Sequence, residues 1–324
     1  DGFNDIVIHD VCSVAGGPGL GEGSQMFKKD GKYYVCNITW PRGDMRTQVI
    51  HRADKITGPY EGRVILHDLG VAQGTLVDTP NGKWYAYLFQ DCGAVGRIPF
   101  LIPVEWEDGW PVLGVDGKIP MTLNIKKTGT PMGNLIASDE FDWKLTTEMP
   151  LAWQWNHNPL PEYWSTSERP GWLRLTSSRV DKSFVEARNS LTQRTFGPEC
   201  SATTLLDASG LNDGDRAGLG ALQQNFGFIA VKKEGGKYFV VMENVEGEQA
   251  SAPIETSKVY LRIDCDFRDR RDEARFYWSL DGENWEELGK TLKMLYTLPH
   301  FIGYRFTLFE YATETPGGRA DFDF

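Results

Sequence analysis

The stretch Gly21-Glu22-Gly23-Ser24-Gln25-Met26-Phe27-Lys28-Lys29-Asp30-Gly31-Lys32-Tyr33-Tyr34-Val35-Cys36 decides how this chain folds. Asp30-Gly31 is a hairpin turn pair, the glycine supplying a positive φ at no steric cost. On both sides of it polar and apolar residues alternate, the period of a strand. The same construction recurs at Lys83-Trp84-Tyr85-Ala86-Tyr87-Leu88-Phe89, which follows Asn81-Gly82. The two turns lie about fifty residues apart, the repeat of a propeller blade. Blades arranged radially protect their strand edges, so a partial β-propeller is expected over residues 1–120.

Beyond Pro103 the composition shifts. Pro103-Val104-Glu105-Trp106-Glu107-Asp108-Gly109-Trp110-Pro111 leads into a Gly/Pro/Lys-rich segment ending near Ile136, which reads as a surface linker, assigned to residues 121–137. From Ser138 strand patterns resume: Trp172–Thr176, Ser201–Leu206, Phe228–Val231, Tyr238–Met242, Val259–Asp264, Arg275–Ser279 and Phe301–Phe306, with a tight turn at Asp281-Gly282. Regular strands and frequent turns predict a jelly-roll β-sandwich over 138–324. Ser138-Asp139-Glu140-Phe141 opens it and Ala320-Asp321-Phe322-Asp323-Phe324 closes it. The fold class is all-β, since helical periodicity is nearly absent.

Composition narrows the function classes. Lys and Arg number 34 against 45 Asp and Glu, a formal net charge of -11, which disfavours a nucleic-acid partner. No apolar run approaches the roughly 18 residues of a membrane helix. Residue 1 is not Met, so an earlier start is expected; a secreted or periplasmic location is the expectation, with no signal peptide visible in this sequence. The five cysteines, Cys12, Cys36, Cys92, Cys200 and Cys265, lack metal-ligand spacing and read as buried free thiols. Eleven Trp, twelve Tyr and seventeen Phe supply flat faces suited to sugar rings as well as to core packing.

Glu22 sits among small residues at the mouth of the first hairpin, where a carboxylate of raised pKa protonates a leaving group in glycoside cleavage. Read from spacing alone, a solvated turn carboxylate is the competing account. The motif Gly21-Glu22-Gly23-Ser24…Phe27-Lys28-Lys29-Asp30-Gly31-Lys32-Tyr33-Tyr34 resembles the general-acid blade of glycoside hydrolase family 43. Gln73-Gly74-Thr75-Leu76-Val77-Asp78-Thr79-Pro80-Asn81-Gly82-Lys83-Trp84 resembles that family's fifth blade, and Val95-Gly96-Arg97 through Trp110-Pro111 resembles the end of its propeller. Residues 138–324, with Trp153-Gln154-Trp155-Asn156-His157-Asn158-Pro159, resemble the carboxy-terminal sandwich of the β-xylosidase and α-L-arabinofuranosidase members.

The resemblance implies a five-bladed propeller and an inverting mechanism. It implies a general-base Asp and a pKa-tuning Asp on blades that precede Glu22 and are absent from this sequence. An amino-terminal propeller segment is therefore an expected partner, beside the carbohydrate substrate. Glu22 takes the acid role. Arg97 is placed in the active site, its fixed donors suited to vicinal hydroxyls or to the general base. Gln73 fills a slot where many members carry His. Trp40 and Arg42 lie on the loop that lines the sugar subsite, although Trp40 also suits packing between blades. His157 is expected at the pocket rim or in a satisfied interface. Glu140 and Asp323 resemble a pair that holds structural calcium, an ion that favours hard oxygen ligands; the chemistry itself needs no cofactor. Two functions follow: an exo-acting glycosidase releasing α-L-arabinofuranosyl or β-D-xylosyl units from hemicellulose, or a non-catalytic carbohydrate-binding or scaffolding fragment lacking its base.

Overall fold

The computed structural model describes residues 19–41, 43–125, 129, 134–144 and 147–324. Among these there is no α-helix; the protein is all-β, with short 3-10 turns between strands. It forms two compact units, one within Asp1–Asp91 and Arg97–Thr128, the other within Cys92–Gly96 and Gly129–Phe324.

The first unit contains two four-stranded antiparallel meanders. One runs β1 (Gly19–Lys29), β2 (Lys32–Pro41), β3 (Thr47–Ala53) and β4 (Glu61–Leu66). The other runs β5 (Ala72–Asp78), β6 (Trp84–Asp91), β7 (Arg97–Glu107) and β8 (Trp110–Leu113). The Asp30-Gly31 turn behaves as its residue types demand: Lys29 pairs with Lys32, with φ of 48° and 80° between them. The Asn81-Gly82 turn is wider than the sequence implies. Asp78 pairs with Trp84, and Thr79 closes the intervening loop by donating its N–H to Lys83 O. Between the meanders lies one apolar core that includes Tyr34, Cys36, Ile50, Leu76, Leu88 and Ile102. Phe27 stacks on Tyr34 at 5.1 Å, and Trp84 meets Trp106 edge-on at 5.3 Å.

Residues 103–113 belong to the second meander. They complete β7, turn at Asp108-Gly109 and return as β8, with Trp106 opposite Pro111. Pro111 sits on β8, an end strand of its meander, the position in a sheet that tolerates proline.

The second unit carries β9 (Gln154–Trp155), β10 (Trp164–Ser165), β11 (Leu173–Thr176), β12 (Leu191–Arg194), β13 (Glu199–Asp207), β14 (Arg216–Leu222), β15 (Gly227–Glu234), β16 (Lys237–Asn244), β17 (Gly247–Ile254), β18 (Lys258–Asp266), β19 (Glu273–Ser279), β20 (Glu286–Glu287), β21 (Leu292–Lys293), β22 (Arg305–Tyr311) and β23 (Arg319–Asp323). One sheet is ordered β10-β11-β23-β13-β18-β19-β20, with β21 also on β19; the other is β17-β16-β15-β14-β22-β12-β9. Strands of the two sheets touch, β14 and β15 against β18 and β22 against β11. The expected strand over Phe301–Phe306 begins only at Arg305. Pro299 favours the 3-10 turn Leu298–His300 that precedes it, and Gly303 at φ 88° turns the chain into the strand.

The opening and closing segments of this unit meet through Asp139. Its N–H donates to Phe324 O at 2.7 Å. Its carboxylate accepts the Phe141 N–H at 2.7 Å and the indole N–H groups of Trp143 and Trp153 at 3.1 and 2.6 Å.

A second acidic group lies inside this unit. Glu310 on β22 is buried, and its carboxylate oxygens lack a well-formed hydrogen bond among the described residues, since the neighbouring Ser177 hydroxyl, which would lower its pKa, donates to Gly318 O. Burial pushes its pKa well up, and the nearby Asp215 and Asp181 carboxylates push the same way. Burial likewise lifts Asp215 from 3.8 to about 6. Because both pKa values rise on folding, these two groups bind more protons in the folded chain than in the unfolded one between about pH 4 and their folded values. Its stability therefore falls as pH rises through the folded values. Glu310→Gln is expected to remove the Glu310 share of that fall, so that the variant gains stability over the wild type as pH rises from about 4.5 to about 7.5. Calorimetric melting of both proteins across this range checks it.

Candidate active site

Every chemistry-bearing residue of the first unit described below lies at one end of the two meanders: the starts of β1, β3, β5 and β7 and the ends of β2 and β6. Antiparallel order brings these termini to the same margin. Glu22 lies on β1 opposite Ile38, and the register breaks between Glu22 and Gln25. That bulge lets the strand present a carboxylate outward beside a backbone that others approach closely. Glu22 is exposed and makes no ion pair among the described residues.

Gln73 comes to this bulge from the other meander. Gly23 has φ 67°, and a Cβ there would stand 2.6 Å from Gln73 Cγ and 2.9 Å from its Nε2. Only glycine permits the approach. Gln73 is itself the extra residue of a bulge between Ala72 and Gly74, at φ 66°, and its N–H donates to Oε1 of the fully buried Gln48 at 2.8 Å. Asn37 donates from Nδ2 to Ser24 Oγ at 2.5 Å. Asn37 Oδ1, Thr39 Oγ1 and Gln73 Oε1 have no hydrogen-bond partner among the described residues. These three oxygens are buried polar groups on the strands that surround the bulge.

A second cluster is cationic. Arg97, the first residue of β7, pairs across the ladder with Asp91, the last of β6, and donates from Nε to Asp91 Oδ1 at 3.1 Å. Arg46, in the loop between β2 and β3, places Nη1 2.7 Å from Asp91 Oδ2, an ion-pair contact without hydrogen-bond alignment. The two guanidinium groups flank Phe89, at 4.3 and 5.9 Å from its centroid, and Arg46 also lies 5.1 Å from the Trp40 ring. Trp40 is half exposed and fixed by its indole N–H donating to Asp44 O at 2.9 Å. Beside it, Thr47 Oγ1 contacts His67 Nδ1 at 2.8 Å. Carboxylate, paired arginines and aromatic faces together provide directed donors and a stacking surface.

The structure therefore brings Gln73 against Gly23, the residue after Glu22, and gathers Arg97 and Trp40 around Arg46, Phe89 and Asp91 at the same strand ends. Arg42 lies outside the described residues. His157 belongs to the second unit, its Nε2 3.0 Å from Val185 O and 3.1 Å from Asn156 Nδ2. Glu140 is exposed, and Asp323 is on β23 with its backbone oxygen accepting from Thr204 Oγ1. Among the described residues no group of three or more His, Cys, Asp or Glu gathers as a metal site, so a calcium ion there would draw most ligands from backbone carbonyls and water. Sequence reasoning missed Arg46, Asp91 and Phe89. The available signal was positional: Asp91 and Arg97 bracket the loop before a strand already assigned an active-site arginine.

The family model described as the beta xylosidase C-terminal concanavalin A-like domain matches residues 138–324. A putative beta-xylosidase of Xylanibacter ruminicola is 33% identical over 319 residues, covering 90% of this chain and 58% of that protein. A non-reducing end alpha-L-arabinofuranosidase of Bacteroides ovatus is 25% identical over 231 residues, covering 65% of this chain and 43% of that protein. A solved structure described as a bifunctional GH43-CE from Bacteroides eggerthii matches at a TM-score of 0.92 and 53% identity, over 98% of this chain and 42% of that one. The chain thus spans less than two thirds of the proteins it matches. Family match, sequence relatives and structural likeness agree with the motif around Glu22: the chain belongs to glycoside hydrolase family 43.

Proposed function

We propose that this chain is the carboxy-terminal portion of an inverting exo-glycosidase that releases β-D-xylosyl or α-L-arabinofuranosyl units from hemicellulose. The observation that carries this reading is the placement of Glu22 at a bulged strand mouth whose Gly23 meets Gln73, at the same margin as the Asp91-held arginines. In this reading the two meanders are the last blades of a five-bladed propeller, and residues 138–324 form a jelly-roll sandwich. Glu22 donates the proton to the leaving oxygen. An amino-terminal propeller segment supplies the aspartate that activates water, roughly 6.5–9.5 Å from the acid as inversion requires. Arg97 clamps sugar hydroxyls, Trp40 and Arg42 line the subsite, and His157 stands at its rim. Glu140 and Asp323 are a calcium candidate of structural kind, and export from the cytoplasm suits a polysaccharide substrate. Support comes from the relatives' names, which include both activities.

The test is turnover of aryl β-D-xylosides and α-L-arabinofuranosides by the protein with its amino-terminal segment, followed by proton NMR of the first sugar released. The expected product has the opposite anomeric configuration to the substrate. Retention, or binding of oligosaccharide without turnover of either glycoside, overturns the proposal; the latter favours the scaffold reading.

Asp91→Asn supplies a finer check. It keeps the side chain's shape but removes the charge that holds both arginines. The expected result is a fall in kcat/KM of about tenfold to a hundredfold, carried mainly by KM, as for loss of one or two charge-assisted hydrogen bonds. Steady-state kinetics on the same glycosides read it.

A further inference from the structure

Strands β13 and β18 pair antiparallel with Cys200 directly opposite Cys265. Just beyond the strand ends, the Phe267 N–H donates to Pro198 O at 2.9 Å. Residues 198 and 267 therefore share a hydrogen-bonded rung, and the Cys200–Cys265 rung, two residues along an unbroken register, is of the same kind. On such a rung the Cα atoms stand about 5.5 Å apart, inside the roughly 4.4–6.8 Å span of disulfides. The Cβ atoms stand about 4.5–5.5 Å apart, at the long end of what a disulfide takes. Both thiols are buried, on the face that also carries Ala202 and Ile263, and their sulfurs are hydrogen-bonded to each other.

We propose that Cys200 and Cys265 are a redox pair that closes to a reversible cross-strand disulfide between β13 and β18. The strands must draw slightly together to close it, so the bond is strained and more readily reduced than a relaxed structural one. Cys200 is the attacking sulfur. The Cys265 S–H lowers its pKa against the effect of burial, and the Phe196 N–H, donating to its Sγ at 3.4 Å, acts the same way. Cys265 is raised in turn by that hydrogen bond and by burial. With oxidised glutathione as oxidant, Cys200 Sγ attacks one glutathione sulfur and expels the other as glutathione thiolate. Cys265 then loses its proton and attacks Cys200 Sγ, expelling the second glutathione. Two protein thiols are oxidised, one glutathione disulfide is reduced to two thiols, and the two protein protons end on them. The buried position means that reaction proceeds through opening of the ladder, and so slowly.

The experiment equilibrates the full chain in buffers spanning reduced to oxidised glutathione until no further change occurs, quenches, alkylates and maps peptides by mass spectrometry. The expected result is a cross-link joining the peptides that carry Cys200 and Cys265, rising and falling across the glutathione range, with Cys36 alkylated throughout. The oxidised form should melt about 5 °C or more above the reduced form, since the bond closes a long loop. Cys200→Ser and Cys265→Ser should each abolish the cross-link and leave the other thiol alkylated. Full alkylation of both thiols at the oxidising end, or preferential pairing of either with another cysteine, overturns the proposal. A cross-link that persists at the reducing end overturns its reversibility.

Discussion

Replacing Glu22 with Gln is expected to cut turnover of glycosides with poor leaving groups by about 10²–10⁴-fold, the range a positioned general acid contributes. The substitution keeps the side chain's length and its place on the bulged strand, so binding should survive. The loss should depend on the leaving group. An alcohol leaves only with a proton, so xylobiose or an alkyl glycoside should show the full effect. A nitrophenolate leaves unaided, so its glycoside should show a much smaller one. Equal losses on both substrates would remove Glu22 from the acid role. The alkaline limb of the pH profile, which reports the free acid, should also disappear in the variant.

The second large effect concerns stability. Asp139 is the acceptor for three buried donors: the Phe141 N–H and the Trp143 and Trp153 indoles. Asp139→Ala strands all three. At about 1–3 kcal/mol for each buried donor, with some returned by water entry, the unit should lose roughly 3–5 kcal/mol. The rings around Asp139 move with it. Trp153 meets Phe324 at 5.0 Å and Phe141 at 5.9 Å, so a relaxed carboxylate site loosens the point where the two ends of the unit join. A red shift of tryptophan emission and a lower calorimetric midpoint are the expected readouts. Asp139→Asn should fall between the two proteins, because the amide keeps one acceptor oxygen but aims a donor at donors. A wild-type midpoint in Asp139→Ala would mean that water replaces the carboxylate at no cost.

Much of the first unit was legible because its turns and alternation are local signals. Asp30-Gly31 behaves as written, and Lys83–Phe89 forms most of a strand, β6, beginning at Trp84. What was not legible depends on contacts distant in sequence. Arg216–Leu222 was not among the expected strands, yet it is a buried strand. A Cβ at Gly218 would stand 2.2 Å from Ile229 O, so this glycine marks tight packing between neighbouring strands. Within the candidate site, Glu22 is marked by its motif, and the structure puts it at the β1 bulge. Arg46 has no such mark, because nothing near it in sequence announces Asp91, which reaches it across two sheets. The widened Thr79–Lys83 turn was hidden for a local reason, the Thr79 side chain and backbone both engaging Lys83 O.

Strand β23 lies between β11 and β13, not at a margin. Its residues 319–323 thus fill the middle of a sheet whose neighbouring strand β11 was made some 140 residues earlier. A chain cut anywhere before them would leave two inner strands with facing, unpaired edges, a template for pairing with other molecules. Closing so long a loop also comes late and slowly. The second unit is therefore all-or-none during synthesis. It stays incomplete, and open to association, until the sequence through Asp323 is available, so shortened products should aggregate rather than persist as a smaller stable domain.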